Sequence, residues 1–115
     1  MGRITIGSAS VKLDDRLIAH LELVFVTKLR RHEPFIFRWT KDVSVGGGRE
    51  SKWVQPSGDI DIRFDSRARI PINPAWVEAL MATANSPSGL YIVPEPDPGE
   101  SVDPLAEAAW PTTRD

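Results

Sequence analysis

The segment from Asp14 to Arg31, DDRLIAHLELVFVTKLRR, constrains the chain more than any other stretch. At about 100° per residue, Leu17, Leu21 and Val24 fall on one line and Ile18, Phe25 and Leu29 on the line beside it. Together they form the broad apolar stripe of a helix that must be covered. Asp14 and Asp15 offer a capping oxygen and negative charge at the positive end of the helix dipole, while Lys28, Arg30 and Arg31 stand at its negative end. Pro34 stops the helix, because it lacks an N–H and forces Glu33 out of helical space. Leu23 and Val26 fall outside the stripe. They predict either a second layer over the helix or an apolar edge offered to a partner, which makes them candidate partner-binding residues.

The remaining elements are expected to cover this helix. Arg3 to Ile6 and Ser10 to Leu13 are β-prone runs split by Gly7-Ser8, a hairpin that leads into the helix. Phe35, Phe37 and Trp39 alternate with Ile36, Arg38 and Thr40, as in a strand with an aromatic inner face. Lys41 to Glu50, containing Gly46-Gly47-Gly48, is expected to be a loop, since consecutive glycines lose much backbone entropy on ordering. Ser51 to Gln55 reads as a further strand, ended by Pro56-Ser57-Gly58. Ile60, Ile62 and Phe64 then alternate with charged residues as a half-buried antiparallel strand. Asn73-Pro74 supplies a helix cap and a first-turn proline for an apolar helix through Ala84, and Gly89 to Val93 predicts a last strand. The order is β-β-α-β-β-β-α-β, an α+β domain with a mostly antiparallel sheet and two helices on one face.

Length allows one such domain, over residues 1–96, followed by a Pro-rich acidic tail over 97–115. Residues 1–93 carry 13 Lys+Arg against 10 Asp+Glu, whereas 94–115 carry 1 against 6. A mildly basic body thus bears an acidic tail. Within that tail Asp103-Pro104 can start a short helix over 103–110, and Leu105 and Trp110 are candidate partner-binding residues. With no cysteine, disulfides, thiolate nucleophiles and sulfur-ligated metals are excluded. The longest apolar run, Leu23 to Val26, is far short of the roughly 20 residues of a membrane span. The N-terminus has no basic-then-apolar leader, so a cytoplasmic location and no membrane partner are expected.

The blocks DDRLIAHL, KLRRHEPFIFRW, GGGRESKWVQPS and NPAWVEALMATANSPSGLYIVPEP, in that order over about residues 1 to 96, resemble a family of short uncharacterised bacterial proteins. Members of that family are often labelled ATP-dependent DNA ligases. The resemblance implies a shared fold, and through the label a nucleic-acid context. Ligases attach AMP to the lysine of a K-x-D-G motif. Lys12-Leu13-Asp14-Asp15 comes nearest and lacks the glycine, and the chain is too short for a nucleotidyltransferase fold. Ligase chemistry is therefore not expected.

Two basic groupings are candidate anion or nucleic-acid sites. Gly47 and its neighbours, followed by Arg49 and Lys52, make a flexible backbone with two cations, although no G-x-x-x-x-G-K-[ST] can be drawn through it. Lys28, Arg30 and Arg31 at the helix end, with Arg38 beside Trp39, interleave cations and an aromatic as single-stranded nucleic-acid binders do. Both groupings have simpler readings, as a mobile connection and as compensation of the helix dipole. Asp59 and Asp61 share a strand face with Arg63, which would neutralise them. His20 is placed on the polar side of the first helix and His32 just past its end, neither with a metal-type partner at helical spacing. No catalytic, metal or cofactor set emerges. The expectation is a non-enzymatic binding or adaptor module whose tail docks to a protein partner or a second copy. The alternatives are a nucleic-acid accessory protein and a small-anion or nucleotide sensor at the glycine loop.

Overall fold

The structure, a computed structural model, describes residues 1–40 and 47–97. Lys41 to Gly46, and the tail from residue 98 with Leu105 and Trp110, lie outside the described residues. The elements are β1 (Gly2–Ile6), β2 (Ala9–Leu13), α1 (Asp15–Arg30), β3 (Phe35–Thr40), β4 (Arg49–Val54), β5 (Ile60–Arg63), α2 (Pro74–Ala84) and β6 (Leu90–Tyr91). This is the expected α+β order.

The ends of both helices follow from their cap residues. The carboxylate of Asp14 accepts the N–H of Arg16, and the side-chain oxygen of Asn73 accepts that of Ala75. At the far end of α1, Glu33 N–H bonds Lys28 O and His32 N–H bonds Leu29 O, both at 3.0 Å, with His32 at φ 58. That pair of bonds closes a Schellman motif with histidine in the left-handed position that glycine usually holds. Strand β4 begins at Arg49 and so takes in the end of the predicted loop, because Arg49 pairs with Thr40 across the ladder.

The strands form two sheets of three rather than one, in the orders β2-β1-β5 and β4-β3-β6. After β4 the turn at Pro56-Ser57-Gly58, closed by Gly58 N–H to Gln55 O at 2.8 Å, carries the chain away from its neighbour. Strand β5 then pairs antiparallel with β1, placing Ile62 opposite Ile4 and Ile60 opposite Ile6. β6 runs parallel to β3, with Leu90 opposite Phe37. Its approach depends on Gly89, which has φ 84 and whose Cβ, if present, would lie 2.6 Å from the carbonyl oxygen of Ile36.

One core joins the layers. Helix α1 packs on α2 and on β1, and α2 packs on β3 and β6. Ile18, Leu21, Val24 and Phe25 meet Ile4, Phe37, Val54, Leu80 and Leu90, all of them almost wholly buried. Phe25 makes edge contacts with Phe35 and Phe37, at 5.2 and 5.4 Å between ring centres. The aromatic face of β3 therefore covers the stripe of α1, as its spacing predicts. No helix among the described residues is long and apolar enough to cross a membrane.

Candidate functional site

The side of α1 opposite its stripe is only partly covered, and that incomplete cover leaves an open groove among the described residues. Helix α2 and the segment before it lie over one edge of α1 and leave the other bare. A groove of about 570 Å3 results, lined by Leu23, Ile72, Pro74, Val77, Met81 and Ala82, with Glu78 and Asn85 at its rim. A second depression of about 410 Å3 adjoins it and shares Leu23 and Ile72, continuing over Ala19 to Phe64 and Ile70, with Glu22 and Arg67 as charged residues. Leu23 at 40%, Val26 at 44% and Ile72 at 41% exposure are apolar side chains left in water beside one another's elements. Single exposed apolar residues need no explanation, but a joined trough lined by several does. Leu23, a misfit to the stripe of α1, lines both of these depressions, whereas Val26 is exposed and lines neither. Ile72, Val77 and Met81 were not legible as groove residues, because their neighbourhood depends on how α2 crosses α1.

The cover itself is held by a polar hub. His20 is wholly buried, which corrects its expected place on a polar helix face. Its Nδ1 lies 2.7 Å from Arg16 O and must carry the proton, so Nε2 accepts the backbone N–H of Asn73 at 2.9 Å. The ring also lies against Trp76, tilted by 40°, with 4.6 Å between ring centres. Asn73 thus caps α2 with its oxygen while its amide donates to Glu95 Oε2 and to Pro96 O, at 3.0 and 2.8 Å. Glu95 in turn takes a forked pair of hydrogen bonds from Arg16, whose remaining nitrogen donates to Pro71 O. Arg16, and after it Asn73, hold the Glu95 carboxyl at a pKa of about 2. Trp76 Nε1 donates to Val93 O at 2.9 Å, so residues 93–96 are pinned along the start of α2.

The basic candidates fall in separate places, at the end of α1 and on the two faces of the β3–β4 pair. Lys28 is buried, with its ammonium donating to Asn85 Oδ1 at 2.8 Å and 3.1 Å from Glu33 Oε1, so it cross-links the two helices. Arg30 and Arg31 remain exposed at the end of α1. Arg38 donates to Ser88 O and is partly buried. Arg49 pairs with Thr40 at the far end of β3, five steps or about 17 Å from the end that follows α1. Lys52 pairs with Phe37 and so faces the other side of the sheet from Arg38, Arg49 and the exposed Trp53. Gly47 has φ 66 and Gly48 φ 85, both in the left-handed region that favours glycine.

A different cationic row appears on the first sheet. Arg3 stands opposite Lys12 on one side and Arg63 on the other, three cations side by side across β2-β1-β5. All three are exposed. Arg3 donates to Ser10 and Arg63 pairs with Asp61, as their shared face suggested. No spacing in the sequence signals this row, since β1 and β5 meet only through tertiary folding. Among the described residues, no three His, Asp or Glu side chains come together as a metal-binding group.

Fold and surface together define a small α+β domain with an apolar trough along its second helix. The chain belongs to the family described as Domain of unknown function (DUF7882), whose model matches residues 1–95. No curated protein and no solved structure matches it.

Proposed function

We propose that the domain is a binding module whose ligand is a short apolar segment of protein laid along the α1/α2 groove. The observation that carries this reading is the joining of two open, largely apolar depressions through Leu23 and Ile72. Among the described residues every buried side-chain nitrogen and oxygen has a partner, so the trough is supported by structure that has no need to rearrange. Helix-in-groove recognition uses such a surface, with anchors at positions i, i+3 or i+4 and i+7 of the incoming helix.

The reading is tested by methyl NMR on the full chain, titrated with a panel of helical peptides carrying apolar residues at those spacings. Shifts are expected at Leu23, Ile72, Val77 and Met81, and their loss is expected in a folded Leu23→Glu variant. A panel that moves none of these methyls would overturn it.

A second reading has one observation of its own. The Lys12-Arg3-Arg63 row presents three exposed cations side by side, and Asp61 pairs with Arg63 at one end of it. A nucleic-acid backbone bound there would dissociate steeply with salt, and Arg3→Ala would weaken the binding and flatten the salt slope by about one unit. Binding to a single-stranded oligonucleotide that is indifferent to salt would exclude it.

A further inference from the structure

The groove has an occupant within reach in the same chain. We propose that residues 103–110, with Leu105 and Trp110 as anchors, fold back onto Leu23, Ile72, Val77 and Met81 and fill the groove of their own domain. This inference rests on the reading of the groove as a binding site, and it names what the site holds when no other ligand is present.

The route of the chain leads there. Two contacts fix the last described residues against the start of α2, Trp76 to Val93 and Asn73 to Pro96, and a third, Arg16 to Glu95, ties them to α1. Asn73 lies between Ile72 and Pro74, which line the groove. The tail therefore leaves the body at the groove's own end. Residues 98–104 can span at most about 23 Å at ~3.3 Å each. Helix α2, with 11 residues, is roughly 16 Å long at ~1.5 Å each. Leu105 can reach any point along the trough.

The chemistry of the segment matches its destination. Leu105, Ala106, Ala108, Ala109 and Trp110 form the one apolar cluster in a stretch that is otherwise Pro-rich and acidic. Asp103 and Pro104 supply a cap and a first-turn residue; in such a helix Leu105, Ala108 and Ala109 would share one face, and Trp110, about 140° round from Leu105, would anchor its C-terminal end. Residues 98–115 carry four carboxylates against Arg114, and the charged residues lining the two depressions are Arg67, Glu22 and Glu78, so the match is carried by the apolar side chains. So short a helix is unstable alone in water and forms only against a surface. Tethering supplies that surface at an effective concentration on the order of millimolar, so a weak contact is enough to keep it filled.

A chain without cysteine allows a direct test. A nitroxide is attached to Thr112→Cys in the full chain, and the broadening of assigned methyl resonances is measured. Broadening of Ile72, Val77 and Met81 is expected, while a mixture of nitroxide-bearing unlabelled chains with isotope-labelled wild-type chains should show none. Broadening in the mixture as well would assign the groove to a second copy and overturn the inference. Broadening centred on Arg3, Lys12 and Arg63, or nowhere, would overturn it too. A companion titration separates this inference from the reading beneath it. With Leu105→Glu and Trp110→Glu together, the helical peptides above should bind about tenfold more tightly, as expected on removing a tethered competitor of ~0.1 mM affinity. Peptide binding at the groove that is equally tight in both chains leaves the binding module standing and rules out the tail. Binding in neither chain rules out both.

Discussion

The Nε2 atom of His20 on α1 accepts the backbone N–H of Asn73, the residue that caps α2, at 2.9 Å. One ring thus joins the two helices at the point where the second begins. His20→Phe keeps an aromatic ring beside Trp76, slightly larger than the imidazole, but leaves the Asn73 N–H buried without an acceptor. The expected loss is about 1–3 kcal/mol in urea unfolding, with faster amide exchange confined at first to Asn73 and the opening turn of α2. An unchanged exchange rate at Asn73 would mean that the bond does not hold in solution.

Acid should loosen the same hub from its other side. Glu95 titrates at about 2 instead of 4.5, chiefly because Arg16 donates to its ionised form. A carboxyl whose folded-state pKa is depressed adds stability above its ordinary value and loses it as pH falls toward the folded one. The Arg16–Glu95–Asn73 contacts are therefore complete above pH 4.5 and are given up progressively between 4.5 and 2. The side-chain amide signals of Asn73 should follow that titration with a midpoint near 2, and Glu95→Gln should abolish it. A midpoint near 4.5 would show the contact to be absent.

His32 occupies a left-handed backbone position, φ 58, at the close of α1. A side chain there is strained, and glycine relieves the strain while both Schellman hydrogen bonds are kept. His32→Gly is expected to raise stability by about 1 kcal/mol, read as a higher denaturant midpoint at unchanged slope. A drop in stability would mean that the imidazole makes a contact that outweighs the strain.

Local signals carried most of what could be read before the fold was known. Asp14, Pro34 and Asn73-Pro74 act within a turn of themselves, so both helices begin where those residues predict. Phe35, Phe37 and Trp39 face the helix because alternation is fixed by strand geometry. Relations between distant segments were illegible. Nothing around Ile60 says that its strand joins β1 rather than β4, so the division into two sheets could not be foreseen. The buried role of His20 was hidden for the same reason, as its partner is 53 residues away. Leu23 and Val26 were legible as misfits to the stripe, whereas the groove around Leu23 exists only once α2 lies beside it.

Lys28 shows how a surface-looking cation becomes a cross-link. Its ammonium is nearly covered and is held between Asn85 and Glu33. Lys28→Ala should cost about 1.5–3 kcal/mol, the usual range for a buried hydrogen bond to a charged group. Oligonucleotide affinity, if the protein has any, should be unaffected under conditions where the variant is folded. A stability change within about 0.5 kcal/mol would place this lysine in solvent.

Arg3 is the opposite case, a residue the fold tolerates rather than needs. It stands between Lys12 and Arg63 in the sheet register, and its nearest relief is a hydrogen bond to the hydroxyl of Ser10. Like charges directly opposite one another on a strand pair are unfavourable, each such pair by roughly 0.2–1 kcal/mol. Arg3→Thr removes two of those pairings, and a β-branched residue suits the strand, so stability should rise by about 0.5–1 kcal/mol at low salt. The gain should shrink as salt is raised, because the exposed charges are then screened in the parent chain as well. If the row binds a polyanion, the stabilised variant loses that binding, and one substitution moves stability and affinity in opposite directions. A variant less stable than the parent at low salt would show that Arg3 is a support of the first sheet and that the repulsion across it is already relieved.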